Sequence, residues 1–280
     1  MRVVAVFGGG GAKAAAHIGA QRALIEAGLA PFHFVGTSFG AVIGAAFAAG
    51  ATPESLAAAF TGGSREKIAP IDLVSIIKGV YADHLIKSGP LRSLIARIVP
   101  ARRFDEFKVP VSVVVTDLGS GELVVFGAGG RGDVRVQEAL YATCALPLYY
   151  EPAEIAGRRY ADGGLRAVLP LEPAARIPAD VVVAVHVGPG FDEQPPLPSP
   201  VPSRRLPPLI RAHGESERIM MAAQVQHAIA EWPKSAPELV LVRAVKEKEA
   251  TFAVENVNRY IEAGYRETRV ALGRRGAPGG

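Results

Sequence analysis

One cysteine, Cys144, in 280 residues leaves no intramolecular disulfide and too few ligands for a thiolate zinc site. That scarcity fits a reducing, cytoplasmic compartment. Long apolar runs are missing too. The longest uncharged apolar stretch, residues 39–51, has 13 residues including three glycines, short of the roughly 20 that a membrane-crossing helix needs. The first residues, MRVVAVF and then four glycines, offer no apolar leader or small-residue cleavage site, so they are read as a strand of the fold. Net charge is only +4, and no nucleic-acid partner is expected. Basic pairs do recur, at Arg102-Arg103, Arg158-Arg159, Arg204-Arg205 and Arg274-Arg275. They suit either a solvated surface or peripheral contact with an anionic membrane. What the chain does have is hydrophobic residues, 49%, and glycine, 31 residues, ten of them among the first 50. It can bury a full core, which excludes a disordered or fibrous chain.

Short β-branched runs at 3–7, 32–35, 111–116, 123–126, 154–160, 181–187 and 239–242 alternate with alanine-rich helical stretches. That pattern predicts an α/β fold with a central, mostly parallel sheet covered by helices on both faces. Helices are expected over 12–27 and 38–49, ending before Gly28 and Gly50, and another starts at Thr52-Pro53 as N-cap and first helical residue. Residues 189–208 hold eight prolines, which rules out a central strand or unbroken helix and predicts a long loop. The helix expected over 209–231 carries Met221, Val225, Ile229 and Trp232 on one face, suited to core packing or to a lid facing lipid. The expected organisation is one domain over 1–272 and a flexible tail over 273–280.

The strand at 3–7 runs into Gly8-Gly9-Gly10-Gly11-Ala12-Lys13 and a helix. Such a turn presents N–H groups and the positive end of a helix dipole to an anion. A phosphate loop of the Walker type fails because Ala14 stands where a serine or threonine would hold magnesium. A dinucleotide fingerprint fails because residues 31–36 contain no acid. An oxyanion hole remains. After the second strand comes Gly36-Thr37-Ser38-Phe39-Gly40 and a helix, the strand–turn–helix setting of a nucleophile elbow with Ser38 at its tip. No histidine is well placed as its base: His186 lies inside a buried strand and the others lie in or near helices or lack an acid partner. Asp162, before Gly163 and Gly164, is the alternative, a carboxylate able to take the serine proton directly.

Together these segments resemble the patatin-like phospholipases, particularly small bacterial ones. GGGGAKAAAHIG at 8–19 is similar to that family's oxyanion loop, GTSFGA at 36–41 to its nucleophile elbow and ATCALP at 142–147 to its A-S-x-A-x-P segment. The stretch from Tyr150 through Asp162-Gly163-Gly164 to Pro170 resembles its catalytic-aspartate region. The resemblance covers residues 3 to about 188. It implies a three-layer α/β/α sandwich, a Ser38–Asp162 dyad, and an oxyanion hole from Gly9, Gly10 and Gly11. Gly36, Gly40, Gly163 and Gly164 would support the turns and Lys13 would add electrostatic support. It further implies hydrolysis of acyl lipid esters through an acyl-serine, of phospholipase A or lysophospholipase type, with no metal and no cofactor. Lys13, Ala14, Thr143 and Ala167 depart from the family's usual arginine, glycine, serine and asparagine. An acyltransferase or thioesterase with the same dyad, or a non-hydrolytic module holding a phosphate or nucleotide on the glycine loop, are the alternatives.

Overall fold

The computed structural model describes residues 1–61, 84–195, 208–246 and 254–275. Its elements are, in order, β1 (Val3–Phe7), α1 (Ala16–Glu26), β2 (His33–Thr37), α2 (Phe39–Ala48), α3 (Pro53–Thr61) and α4 (Ser88–Ile98). Then come β3 (Val111–Asp117), β4 (Leu123–Gly127), α5 (Val136–Cys144), β5 (Ala153–Ile155), β6 (Arg158–Asp162), α6 (Gly164–Ala167) and α7 (Leu171–Ala175). β7 (Val181–His186), α8 (Pro208–Ala230), β8 (Glu238–Arg243) and α9 (Val257–Arg275) complete the fold. A short 3₁₀ turn, Gly11–Ala15, precedes α1, so the first helix opens later than its alanine content suggests.

Among the described residues, eight strands form one sheet in which β3, β2, β1, β7 and β8 run parallel. β1 is apolar at every position, and β2, β3 and β7 are buried along their whole length, because both faces are covered. Val3, Ala5 and Phe7 enter one core with residues of α1, α2, α4, α5 and α9. Val4 and Val6 enter a second core with Leu171 and Ala174 of α7 and Val225 of α8. Met221, Ile229 and Trp232 pack against that second core, so the apolar stripe on α8 covers the sheet. Gly28 and Gly50 close their helices at positive φ, +70° and +101°, as C′ residues do. Thr52 and Ser55 exchange side-chain hydrogen bonds with each other's backbone N–H, capping α3.

Two details differ from expectation. The run at 154–160 is a hairpin, not one strand: Ala156 and Gly157 both adopt positive φ, 50° and 73°, the backbone of a tight two-residue turn. The tail expected from 273 is helical through Arg275, because the Arg275 guanidinium grips Glu238 on β8 at 2.9 Å. Residues 196–207 of the proline-rich segment, 276–280 of the tail and the Arg204-Arg205 pair lie outside the described residues. Of the other basic pairs, Arg103 binds Asp105 and Arg158 binds Asp117.

The two edges of β3 decide the placement of the site. Residues 112–114 pair with both β2 and β4, so those strands take opposite edges. Val115 and Thr116 pair with both β4 and β6, so β6 lies opposite β4, on the edge of β2. Thr37 stands beside Val114 and Asp162 beside Val115. β6 therefore takes over the edge of β3 at the point where β2 leaves it.

Candidate active site

Ser38 follows the last residue of β2 and precedes the first of α2. It holds φ 54° and ψ −137°, a region that non-glycine residues rarely adopt unless their surroundings impose it. The surroundings do so here. A Cβ on Gly40 would stand 2.3 Å from the Phe7 carbonyl oxygen, and one on Gly36 2.5 Å from the Ala41 Cα, so this tight crossing admits only glycine at both positions. Thr37 Oγ1 donates to the Ala167 carbonyl at 2.7 Å. The Ser38 N–H donates to Thr143 Oγ1 at 2.8 Å, and that hydroxyl donates onward to the Val114 carbonyl.

The sequence marks Thr143 only as a retained hydroxyl; its grip on the Ser38 amide appears only in three dimensions. Thr143→Val keeps the shape and strands a buried N–H and a carbonyl. It is expected to cost roughly 1–3 kcal/mol, measured as a fall in denaturation midpoint, whereas Thr143→Ser is expected to stay near wild type.

The Ser38 hydroxyl donates to Asp162 Oδ2 at 2.8 Å. The other carboxylate oxygen, Oδ1, accepts the Gly164 N–H at 2.7 Å, and Thr116 Oγ1 donates to the Asp162 carbonyl at 2.9 Å. Asp162 is buried, and burial pushes its pKa up to about 7. The two hydrogen bonds oppose that rise, and Glu217 on α8 adds to it. Cys144 lies beside the pair, its buried thiol pushed well up. The structure thus brings Ser38, Asp162 and Gly164 into contact. Gly163 sits where a Cβ would lie 2.2 Å from the Val114 carbonyl.

The glycine loop divides into anchored and open amides. Gly8 donates to Val185 at 3.1 Å and Gly9 to Val168 at 2.8 Å. The N–H groups of Gly10 and Gly11 meet no acceptor among the described residues, and both residues line the same cavity as Ser38 and Asp162. Of the three glycines, Gly10 and Gly11 are the ones with a hydrogen bond to give. Behind the loop, His17 stacks on Phe7 and donates from Nε2 to the Gly8 carbonyl at 2.8 Å. Burial holds the His17 pKa down at about 4, so it is a neutral prop, a role the sequence does not signal. His33 is tied to Ser112, and burial brings His186 down to about 3. Neither Ser38 nor Asp162 hydrogen-bonds a histidine.

The cavity, of about 150 Å³, is walled by Leu146, Tyr149, Tyr150 and Met221 beyond the polar groups. Among the described residues no cluster of three or more His, Cys, Asp or Glu side chains is placed to hold a metal ion.

Residues 5–175 match the family described as Patatin-like phospholipase. An uncharacterized NTE family protein of Mycobacterium tuberculosis is 32% identical over 199 residues, covering 69% of this chain and 52% of its own length. The chain thus spans about half the length of that relative. The patatin-like phospholipase domain-containing protein 7 of Rattus norvegicus is 29% identical over 191 residues, 66% of this chain and 14% of that one. The crystal structure of VipD from Legionella pneumophila superposes with a TM-score of 0.50 at 14% identity, covering 97% of this chain and 66% of VipD, a likeness of fold.

Proposed function

From the premise that this chain belongs to the patatin-like phospholipase family, we propose that it is a serine hydrolase of acyl lipid esters working through a Ser38–Asp162 dyad. The observation that carries the reading is the 2.8 Å hydrogen bond from the Ser38 hydroxyl to a buried carboxylate, with no histidine between them. Asp162 takes the hydroxyl proton as Ser38 Oγ attacks the ester carbonyl. The oxyanion that forms accepts from the Gly10 and Gly11 N–H groups, while Gly9, bonded to Val168, holds the loop in register. Asp162 returns the proton to the leaving alcohol, leaving an acyl-serine. Water then attacks this ester, giving its proton to Asp162, and Ser38 is restored as the fatty acid leaves.

The apolar walls, Leu146 and Met221 among them, suit an acyl chain, which supports a phospholipase A or lysophospholipase type of substrate. No helix among the described residues is long and apolar enough to cross a membrane. Phe191, Leu209, Ile219 and Met220 are exposed, near residues 189, 193, 214, 217, 218 and 221 at the cavity, and they suit peripheral docking on lipid.

A fluorophosphonate probe is expected to form an adduct that mass spectrometry maps to Ser38, and purified protein is expected to release fatty acid from lysophospholipid. No adduct, or one on another residue, counts against the reading. The pH profile follows from Asp162. Only the carboxylate can accept the serine proton, so kcat/KM is expected to rise with pH through about 7 and level off above it. A profile that is flat from pH 5 to 8 would contradict Asp162 as base.

A further inference from the structure

Inside the same cavity, two cations face one carboxylate. Glu193 Oε1 lies 3.8 Å from the Lys13 ammonium, and Glu193 Oε2 pairs with the Arg218 guanidinium on α8. The side chains of Lys13 and Glu193 are 7% and 6% exposed, and all three residues line the cavity with Ser38. Lys13 belongs to the oxyanion loop's 3₁₀ turn, so this cluster borders the place where an ester carbonyl would be attacked. Taking a carboxylate and an ammonium out of water is costly unless they are paired.

The residues on either side of Glu193 are tied to β8 and to the chain just after it. Asp192 is held by Arg243 on β8 at 3.1 Å, and Arg243 also grips the Gly188 carbonyl at 2.8 Å. Gln194 donates its N–H to the Lys246 carbonyl at 2.9 Å. Only the Glu193 side chain turns in toward Lys13 and Arg218. It can swing away by rotation about its own bonds while the segment that carries it stays put.

We propose that Glu193 is an internal stand-in for the phosphate of a lipid head group. Lys13 and Arg218 form the subsite, and a substrate bearing an anionic head group displaces the Glu193 carboxylate and takes its two cations. A neutral ester leaves Glu193 in place and gains nothing from them. The proposal names the substrate class of the hydrolase reading and so rests on it: acyl esters with an anionic phosphate-bearing head group are preferred over neutral glycerides.

The test compares kcat/KM for lysophosphatidylglycerol and for a monoacylglycerol of the same chain, expressed as a ratio. Glu193→Gln is expected to raise this ratio about fivefold by removing the internal competitor, a gain of about 1 kcal/mol. Arg218→Gln is expected to lower it by a similar factor, and Glu193→Gln made in the Arg218→Gln background is expected to raise the ratio by less than it does in wild type, because only Lys13 is left to be freed. Equal effects on both esters in Glu193→Gln would overturn the proposal. A second readout needs no turnover. Inorganic phosphate is expected to raise the melting temperature of Glu193→Gln more than that of wild type, and the difference is expected to narrow when Arg218→Gln is added. Equal shifts in all three proteins overturn the subsite. A phosphate shift without a change in the lipid ratio overturns the head-group assignment in favour of free phosphate. Absence of any ester turnover defeats the hydrolase reading, and with it the head-group assignment, while the phosphate shifts still decide whether the two cations form an anion site.

Discussion

Ser38→Ala and Asp162→Asn are each expected to lower kcat/KM for a p-nitrophenyl acyl ester by roughly 10³-fold or more, the scale on which removing a nucleophile or its base acts. The two act as one unit, so the double variant should lose little beyond either single one. His186→Ala is the comparator. Its imidazole is buried and held neutral by that burial, with no hydrogen bond to Ser38 or Asp162, and most turnover should survive. The reverse pattern, an inactive His186→Ala beside an active Asp162→Asn, would restore a histidine-dependent triad.

Asp162→Asn also has a predictable effect on stability, of opposite sign to its effect on rate. The amide that replaces the carboxylate can keep its oxygen on the Gly164 N–H and turn its NH₂ to the Ser38 oxygen, so the two groups that touch the carboxylate both keep a partner. The wild-type carboxyl has a folded pKa of about 7 against an unfolded value of 3.8. Between those values the folded protein holds a proton that the unfolded chain releases, and stability falls as pH rises. Above 7 the whole penalty is present, and the amide does not carry it. Asp162→Asn is therefore expected to melt several degrees above wild type at pH 8, with the gap closing toward pH 4, as calorimetry at the two pH values would record. An inactive variant that is more stable than its parent identifies a group strained for use.

Gly264→Ala is expected to cost roughly 3 kcal/mol or more. A Cβ there would stand 1.9 Å from the Ala16 carbonyl oxygen, and across the same contact a Cβ on Gly19 would stand 1.8 Å from the Ile261 carbonyl oxygen. α1 and α9 thus meet backbone to backbone, with no side chain between them whose rotation could absorb a methyl group. The helices must move apart, and α1 starts from the turn that carries the glycine loop. The melting temperature should fall by roughly 6–12 °C. A loss of ester turnover at temperatures where the variant is still folded would show the displacement reaching the loop. A variant that melts with wild type would refute the close contact.

The parts of the site that act locally are legible in the amino-acid sequence. Five consecutive apolar residues at 3–7, stopped by four glycines, read as a strand buried on both faces, and a serine between two glycines after such a strand has few other uses. Asp162 emerges by elimination of the histidines, and its Gly-Gly neighbour by turn chemistry. Contacts between distant segments are not legible in this way. The engagement of the Gly9 amide by Val168 depends on how the chain returns 159 residues later, and the pairing of Glu193 with Lys13 spans 180. The Gly19–Gly264 contact joins two helices whose glycines, read alone, suggest only weak helical positions. The turn at Ala156-Gly157 escapes a reading of the residues because alanine seldom takes positive φ, and a β-rich run hides a hairpin when its turn lacks asparagine or aspartate.

The handover on β3, where β6 follows β2 along one edge, has a consequence for how such a protein can change. The separation of Ser38 and Asp162 is written in strand register: Thr37 beside Val114, Asp162 beside Val115. No hinge lies between them, so the reacting pair is as rigid as the sheet itself. What covers the pocket comes from elsewhere, from α8 and the segment bearing Glu193. Chemistry and choice of substrate are thereby carried by separate stretches of chain, and the second can drift, lengthen or be exchanged while the first keeps its spacing.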